Sequence, residues 1–429
     1  MDIHVLPSVL SHTIRIPGSK SHTIRALLLS LLSEGRSTIE GALLSGDGLS
    51  ALTAARKFGA TITEEGNRLL IDGVGSRPMA PPDIIDTANS GTTTTLFASV
   101  AALGDGYTII TGDEQIRRRT IGALAEAIRQ LGATVLFTHP SRTAPPVAIG
   151  GRMGGGRVVI DGSNSQFVSS LLLSTPLLDG DSEIIVTNPQ ETPYVRLSLD
   201  WMERYGVSVA HDGSFSRFHV TGRQHYRAGD HTIPADWSSA AFPLVAAAIT
   251  DSHLTVLGVD VADSQGDRAI VDHLAAFGAH VEIDEPGHRV TVRGGAPLVG
   301  GHTIDLGPTP DMLPALAVLA TQATGRTRFT NLAHVRQKET DRVFEMERTL
   351  TALGCRVHSE GDELVVDGPN TITGGRVSSS GDHRIAMALS VAGLAATGEV
   401  VIEGGECVSV SYPGFCEDLA RCGAKIWCN

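Results

Sequence analysis

The chain has 429 residues, 41% hydrophobic and 19% charged, with a formal net charge of −13. That length exceeds what one core usually supports, so two domains are expected, and the acidic balance disfavours nucleic acid, whose binding is driven by phosphate neutralisation. No apolar run approaches the roughly 18 residues of a membrane span, and Met1-Asp2-Ile3-His4-Val5 lacks the basic and apolar regions of a signal peptide, so a cytoplasmic protein without membrane attachment is expected.

In chain order, Ile3-His4-Val5-Leu6 is strand-like. Gly18-Ser19-Lys20-Ser21 then runs into an apolar helix over 26–32, followed by a short strand at 37–39 and a second helix ending at Phe58-Gly59-Ala60. Glycine just past a helix is the usual C-cap. The same ending recurs at Gly132, Gly206, Gly278, Gly354 and Gly423, at intervals of roughly 70 residues. The polar opening recurs too: Asn89-Ser90-Gly91-Thr92, Asn164-Ser165-Gln166, Asp236-Trp237-Ser238-Ser239, Asp311-Met312 and Gly381-Asp382-His383-Arg384 each precede an apolar helix. Ser, Asn and Asp are good N-caps. Six β-α-β-α-β-β units are therefore predicted. The sixth stops at Lys425-Ile426-Trp427-Cys428-Asn429, one strand short, so Ile3–Leu6 is expected to complete it. This makes one domain discontinuous, 1–14 with 228–429, and the other 15–227, with 222–229 as the crossover.

Six polar helix starts, gathered at one face of each domain, form an anion-binding environment. Lys20, Ser21 and Arg25 at one start suit phosphate or carboxylate oxygens. The densest opposed charge lies in Gln337-Lys338-Glu339-Thr340-Asp341-Arg342. If this run opens a helix, Lys338 and Arg342 share a face and Glu339 lies beside Arg342. Arg117-Arg118-Arg119 and Asp382-His383-Arg384 also read as a solvated face and a capped start, and Asp311 as an N-cap. The Gly18–Ser21 turn is not a Walker A loop, no Gly-x-Gly-x-x-Gly follows a strand, and no His-Glu-x-x-His occurs. The five cysteines contain no Cys-x-x-Cys pair. Neither a metal nor an organic cofactor is expected.

Taken together, Pro17–Ser21, Asn89–Thr92, Ser165-Gln166, Asp311, Lys338–Arg342 and Asp382–Arg384 resemble, in order and spacing, the enolpyruvyl transferase family over essentially the whole chain. The resemblance implies an α/β fold of two domains, an inside-out α/β barrel with three β-α-β-α-β-β repeats per domain. It implies small-molecule substrates, phosphoenolpyruvate and shikimate 3-phosphate, handled by a monomer. Asp311 is then the expected base and Glu339 the acid, with Lys20 sharing proton transfer. Lys20, Gly91, Arg119, Gln166, Arg342 and Arg384 are expected at phosphoenolpyruvate; Ser21, Arg25, Asn164, Ser165, Gln166, Asp311 and Lys338 at shikimate 3-phosphate; Asp382 and His383 in support.

Three positions depart from the family pattern. Thr95 stands where many relatives carry Arg, Val410 and Ser411 precede Tyr412-Pro413 where some place Lys, and no basic residue lies within or directly beside Thr192-Pro193-Tyr194, where one is common. Missing cations favour, as a rival, a transferase for another phosphorylated cyclitol; a second rival is the sister transferase acting on UDP-N-acetylglucosamine. The second normally carries a Cys within 112–119, where this chain has none. A non-catalytic binding protein would be expected to lose Asp311 or Glu339 first.

Overall fold

The six glycines that close the second helices, Gly59, Gly132, Gly206, Gly278, Gly354 and Gly423, all have φ between +82° and +109°, a left-handed conformation that glycine adopts without steric cost. The computed structural model describes residues 1–429 and divides them into two units. A terminal unit comprises Met1–Pro17 and Pro234–Asn429, and a central unit Gly18–Ile233. No helix is long and apolar enough to cross a membrane.

Each unit holds three four-stranded sheets. In every sheet a first strand lies parallel to the second strand of a repeat, which in five of the six sheets pairs on its other side with a hairpin. Ile85–Asp86 pairs in this way with Tyr107–Thr111, Gly156–Asp161 with Ser182–Thr187, Thr303–Asp305 with Gly325–Thr330, and Gly375–Ser378 with Val400–Glu403. The remaining two repeats take their first strands from elsewhere. Asp230–Thr232, which precedes the fourth repeat, pairs with Arg36–Glu40 of the first, whereas Ser11–Arg15, which precedes the first repeat, pairs with His253–Leu257 of the fourth. Asp2–Leu6 lies between Val400–Glu403 and Lys425–Cys428 and closes the sixth sheet.

This exchange of first strands sets the unit boundaries at 17/18 and 233/234, beyond the expected 14/15 and 227/228. Ser11–Arg15 is bonded along its whole length to His253–Leu257. The expected crossover at 222–229 is pinned to the central unit instead: Arg223 and Gln224 donate their amides to Leu178 and Pro176, and Tyr226–Arg227 pairs with Ser33–Glu34.

The first helix of each repeat is the inner one. Leu313–Thr321 and His383–Leu394 are buried at every position, and Trp237–Ile249 at every position but the last. A helix apolar on all sides must be surrounded by protein. In the central unit the inner helices Lys20–Leu31, Gly91–Val100 and Ser165–Ser174 leave only Lys20, Ser21, Gly91 and Gln166 incompletely buried. All four lie in the first turn, so packing seals each inner helix except where its N-terminus opens.

Candidate active site

In the terminal unit the chemistry is organised by one guanidinium. Arg342, 1% exposed, donates Nε to Asp382 Oδ2 at 2.7 Å, Nη1 to Asp311 Oδ1 at 2.7 Å and Nη2 to Glu339 Oε2 at 2.6 Å, with a longer Nη2 contact to Asp382 Oδ1 at 3.3 Å. Three carboxylates far apart in sequence thus converge on a single fork of five N–H donors. Burial would lower the pKa of Arg342, but Asp382, Glu339 and Asp311 outweigh it and raise it. With so many donors engaged, Arg342 is chiefly the organiser of the acidic groups.

Asp311 also accepts from Arg384 Nη2 at 3.0 Å and lies 3.9 Å from Lys338 Nζ. Burial alone would raise its pKa; the cations Arg384, Lys338 and Arg342 reverse this and hold it well below the usual carboxylate range. Asp311 is therefore ionised. Arg384 is 3% exposed, and its Nε and Nη1 have no hydrogen-bond partner in the protein. Buried donors of that kind demand an acceptor. His383 is buried beside Asp382, with Nδ1 4.0 Å from Oδ1.

Two local expectations are corrected here. The helix does not open at Lys338: Asp341 accepts from the Phe344 amide at 3.0 Å and caps Arg342–Ala352, so Lys338 lies before it in extended backbone and does not share a helical face with Arg342. Asp311 is not an N-cap either. It sits in the 3-10 turn Pro310–Met312 with no capping bond, leaving its carboxylate for the cations.

One group escaped sequence reading. Asp267, buried, accepts from the hydroxyl of Ser238. Burial, then repulsion from Asp311, pushes its carboxyl up to about 7, against the pull of Arg384. Ser-Gln-Gly-Asp-Arg carries no signal for this; the effect arises from neighbours distant in sequence.

In the central unit the three inner helix starts are bonded to one another. Lys20 Nζ pairs with Asp47 Oδ2 at 3.0 Å, the Asp47 carbonyl accepts from Thr93 Oγ1 at 3.4 Å, and Gln166 Nε2 donates to Thr92 Oγ1 at 3.1 Å. Ser90 and Asn164 cap their helices through the amides of Thr93 and Gln166. Of the three consecutive arginines, Arg117 bonds the Gly112 carbonyl and Arg118 pairs with Glu114, both exposed. Arg119 turns inward over Gly91. Arg25 is buried and donates to Ser198 Oγ, the Ser21 carbonyl and the Tyr194 carbonyl at 2.9 to 3.1 Å. Burial lowers it to about 10, still cationic at neutral pH. Ser165 donates to Glu191, a second residue that sequence reading passed over. Thr95 is buried in its helix.

Sequence comparison matches residues 6–419 to the profile of EPSP synthase (3-phosphoshikimate 1-carboxyvinyltransferase). A 3-phosphoshikimate 1-carboxyvinyltransferase of Ruminiclostridium cellulolyticum is 42% identical over 426 residues, 99% of each chain. One of Methanocella arvoryzae is 43% identical over 412 residues, 96% of each. Among solved structures, the EPSP synthase of Acinetobacter baumannii superposes with a TM-score of 0.83 at 27% identity, covering 99% of both chains. The enolpyruvyl transferase NikO of Streptomyces tendae shares the fold, with a TM-score of 0.79 at 19% identity.

Proposed function

This chain belongs to the EPSP synthase (3-phosphoshikimate 1-carboxyvinyltransferase) family, and on that premise we propose that it transfers the carboxyvinyl group of phosphoenolpyruvate to the 5-hydroxyl of shikimate 3-phosphate. Phosphate is released, and the product lies on the shikimate route to chorismate and the aromatic amino acids. The observation that supports this reading best is the buried Arg384, with Nε and Nη1 unpartnered, beside the ionised Asp311 and within the cluster that Arg342 builds around Glu339. Such a grouping offers donors to an anion next to two carboxylates that can move protons.

In this reading Asp311 takes the proton of the acceptor hydroxyl as its oxygen attacks C2 of phosphoenolpyruvate. Glu339, with Lys20 sharing the transfer, protonates the methylene carbon. The tetrahedral adduct then loses phosphate, which carries off the proton that Asp311 took, while the ionised Glu339 takes a proton back from the methyl group and restores the vinyl double bond. Its cations keep Asp311 ionised and aimed at the hydroxyl whose proton it receives. Arg384, Arg119, Lys20, Gln166 and the open face of Gly91 serve phosphoenolpyruvate. Arg342 contributes mainly by fixing Asp311 and Glu339. Ser21, Arg25, Asn164, Ser165, Gln166 and Lys338 serve shikimate 3-phosphate, and Asp382 and His383 support the cluster. Preorganised charges of this kind stabilise developing charge without reorganisation cost. We place the enzyme in the cytoplasm as a monomer; light scattering on the eluting protein tests the second point.

The deciding experiment is phosphate release from phosphoenolpyruvate with and without shikimate 3-phosphate, in metal-free buffer. Release only with both substrates is expected; release without the acceptor, or none with both, overturns the reading.

A further inference from the structure

Ser165 opens the inner helix Ser165–Ser174; the proposed reading counts it among the contacts of shikimate 3-phosphate, and the phosphate is the group of that acceptor that a helix N-terminus favours. In this protein both of its donors already have an anion. The Ser165 amide lies 3.2 Å and its hydroxyl 2.7 Å from the same oxygen, Oε2 of Glu191. Ser165 is 1% and Glu191 4% exposed, so the pairing is sealed from solvent. The carboxylate sits where helix N-terminal amides favour negative charge, which is also where a phosphate oxygen would seat.

The backbone holds Glu191 in place. It has φ +50°, immediately before the helix Thr192–Arg204, its carbonyl accepts from the Tyr194 amide at 3.0 Å, and the Tyr194 carbonyl is in turn held by Arg25. Only rotation of the side chain can release Ser165. A phosphate arriving at Ser165 must either displace this carboxylate or share a dry pocket with it, and like charges in such a pocket repel strongly. The Gln190-Glu191-Thr192-Pro193-Tyr194 segment itself carries no basic residue, and the cation that reaches it, Arg25, is bonded there to the Tyr194 carbonyl.

We propose that Glu191 is a specificity-determining residue of the acceptor site: its carboxylate competes with the acceptor's phosphate for the amide and hydroxyl of Ser165, and so weakens selection for a phosphorylated acceptor. This rests on the reaction proposed above. It identifies one residue that sets the affinity for one group of one substrate, separately from the chemistry at Asp311 and Glu339.

The test compares wild type with Glu191→Ser and Glu191→Gln, using calorimetric binding of shikimate 3-phosphate and of unphosphorylated shikimate alongside steady-state turnover. The serine variant should bind shikimate 3-phosphate at least tenfold more tightly. The glutamine variant, which keeps an acceptor but loses the charge, should tighten less. Shikimate binding should move little in either, and KM for shikimate 3-phosphate should change more than kcat. If Glu191 is only a cap for the helix, both variants will instead unfold more readily and bind both acceptors equally or more weakly, which overturns the proposal. Tightened shikimate 3-phosphate binding supports it whether or not turnover is seen; normal turnover with unchanged affinities overturns it while leaving the reaction standing.

Discussion

A β-carbon placed on Gly91 would lie 2.4 Å from Nη1 of Arg119. Real β-carbons do not approach so closely, so the guanidinium must move when any side chain is introduced. Gly91→Ala is expected to raise KM for phosphoenolpyruvate about tenfold, the equivalent of roughly 1.4 kcal/mol, and to weaken inhibition by analogues of that substrate. The acceptor's KM should change far less. Steady-state kinetics with each substrate varied in turn checks this, and an unchanged phosphoenolpyruvate KM would remove Arg119 from that pocket.

Glu339 receives Arg342 Nη2 at 2.6 Å, which fixes where its carboxylate can deliver a proton. Glu339→Gln keeps the size and one hydrogen-bond acceptor but cannot exchange protons. Turnover should fall at least about a hundredfold, the usual yield of general acid catalysis, while calorimetry shows shikimate 3-phosphate still bound. Near-normal turnover would exclude Glu339 as the acid.

Arg342 holds Asp311, Glu339 and Asp382 together. Lysine has one point of charge and no fork, so Arg342→Lys leaves part of that buried negative charge uncompensated. Breaking a buried pair costs about 3–5 kcal/mol. The urea midpoint should drop accordingly and activity should be lost with it. Wild-type resistance to urea in this variant would show that the cluster contributes to chemistry alone.

Asp267 gives a pH signature. Its folded pKa, about 7, lies above the ordinary aspartate value of 3.8, so the folded state binds the extra proton. Stability from this group is complete below the unfolded pKa and is lost as pH rises towards 7. Asp311 is shifted the opposite way; its contribution is lost only as pH falls through the ordinary carboxylate range and further down, and is constant between pH 5 and 7. Asp267→Asn retains an acceptor for Ser238 and removes the titration. Relative to wild type the variant should gain up to about 1.4 kcal/mol per pH unit between pH 5 and 7, with no further gain above. Urea unfolding across that range measures the difference, and a difference that does not change with pH would show that Asp267 ionises normally.

The sequence by itself determined the repeat and most of what opens and closes it. Only glycine sits comfortably at the left-handed helix ends, so Gly59 and its five counterparts mark the period directly, and runs apolar on every side announce the inner helices. The same polar first turns that read as caps hold Lys20, Gly91 and Gln166, because a buried helix can meet a ligand only at its open end. Tertiary structure alone decided the rest. Asp230–Thr232 is three residues long and carries no alternation of its own, so its place beside Arg36–Glu40 follows from the exchange with Ser11–Arg15 and not from its composition. Nothing in Arg117-Arg118-Arg119 says which guanidinium turns inward; the 3-10 turn Ile116–Arg118 and the space over Gly91 decide it. The carboxylates Asp47, Glu191 and Asp267 are ordinary residues in the sequence. Their partners Lys20, Ser165, Ser238 and Asp311 lie roughly 25 to 45 residues away. Charge acts through space and burial, and chain order records neither.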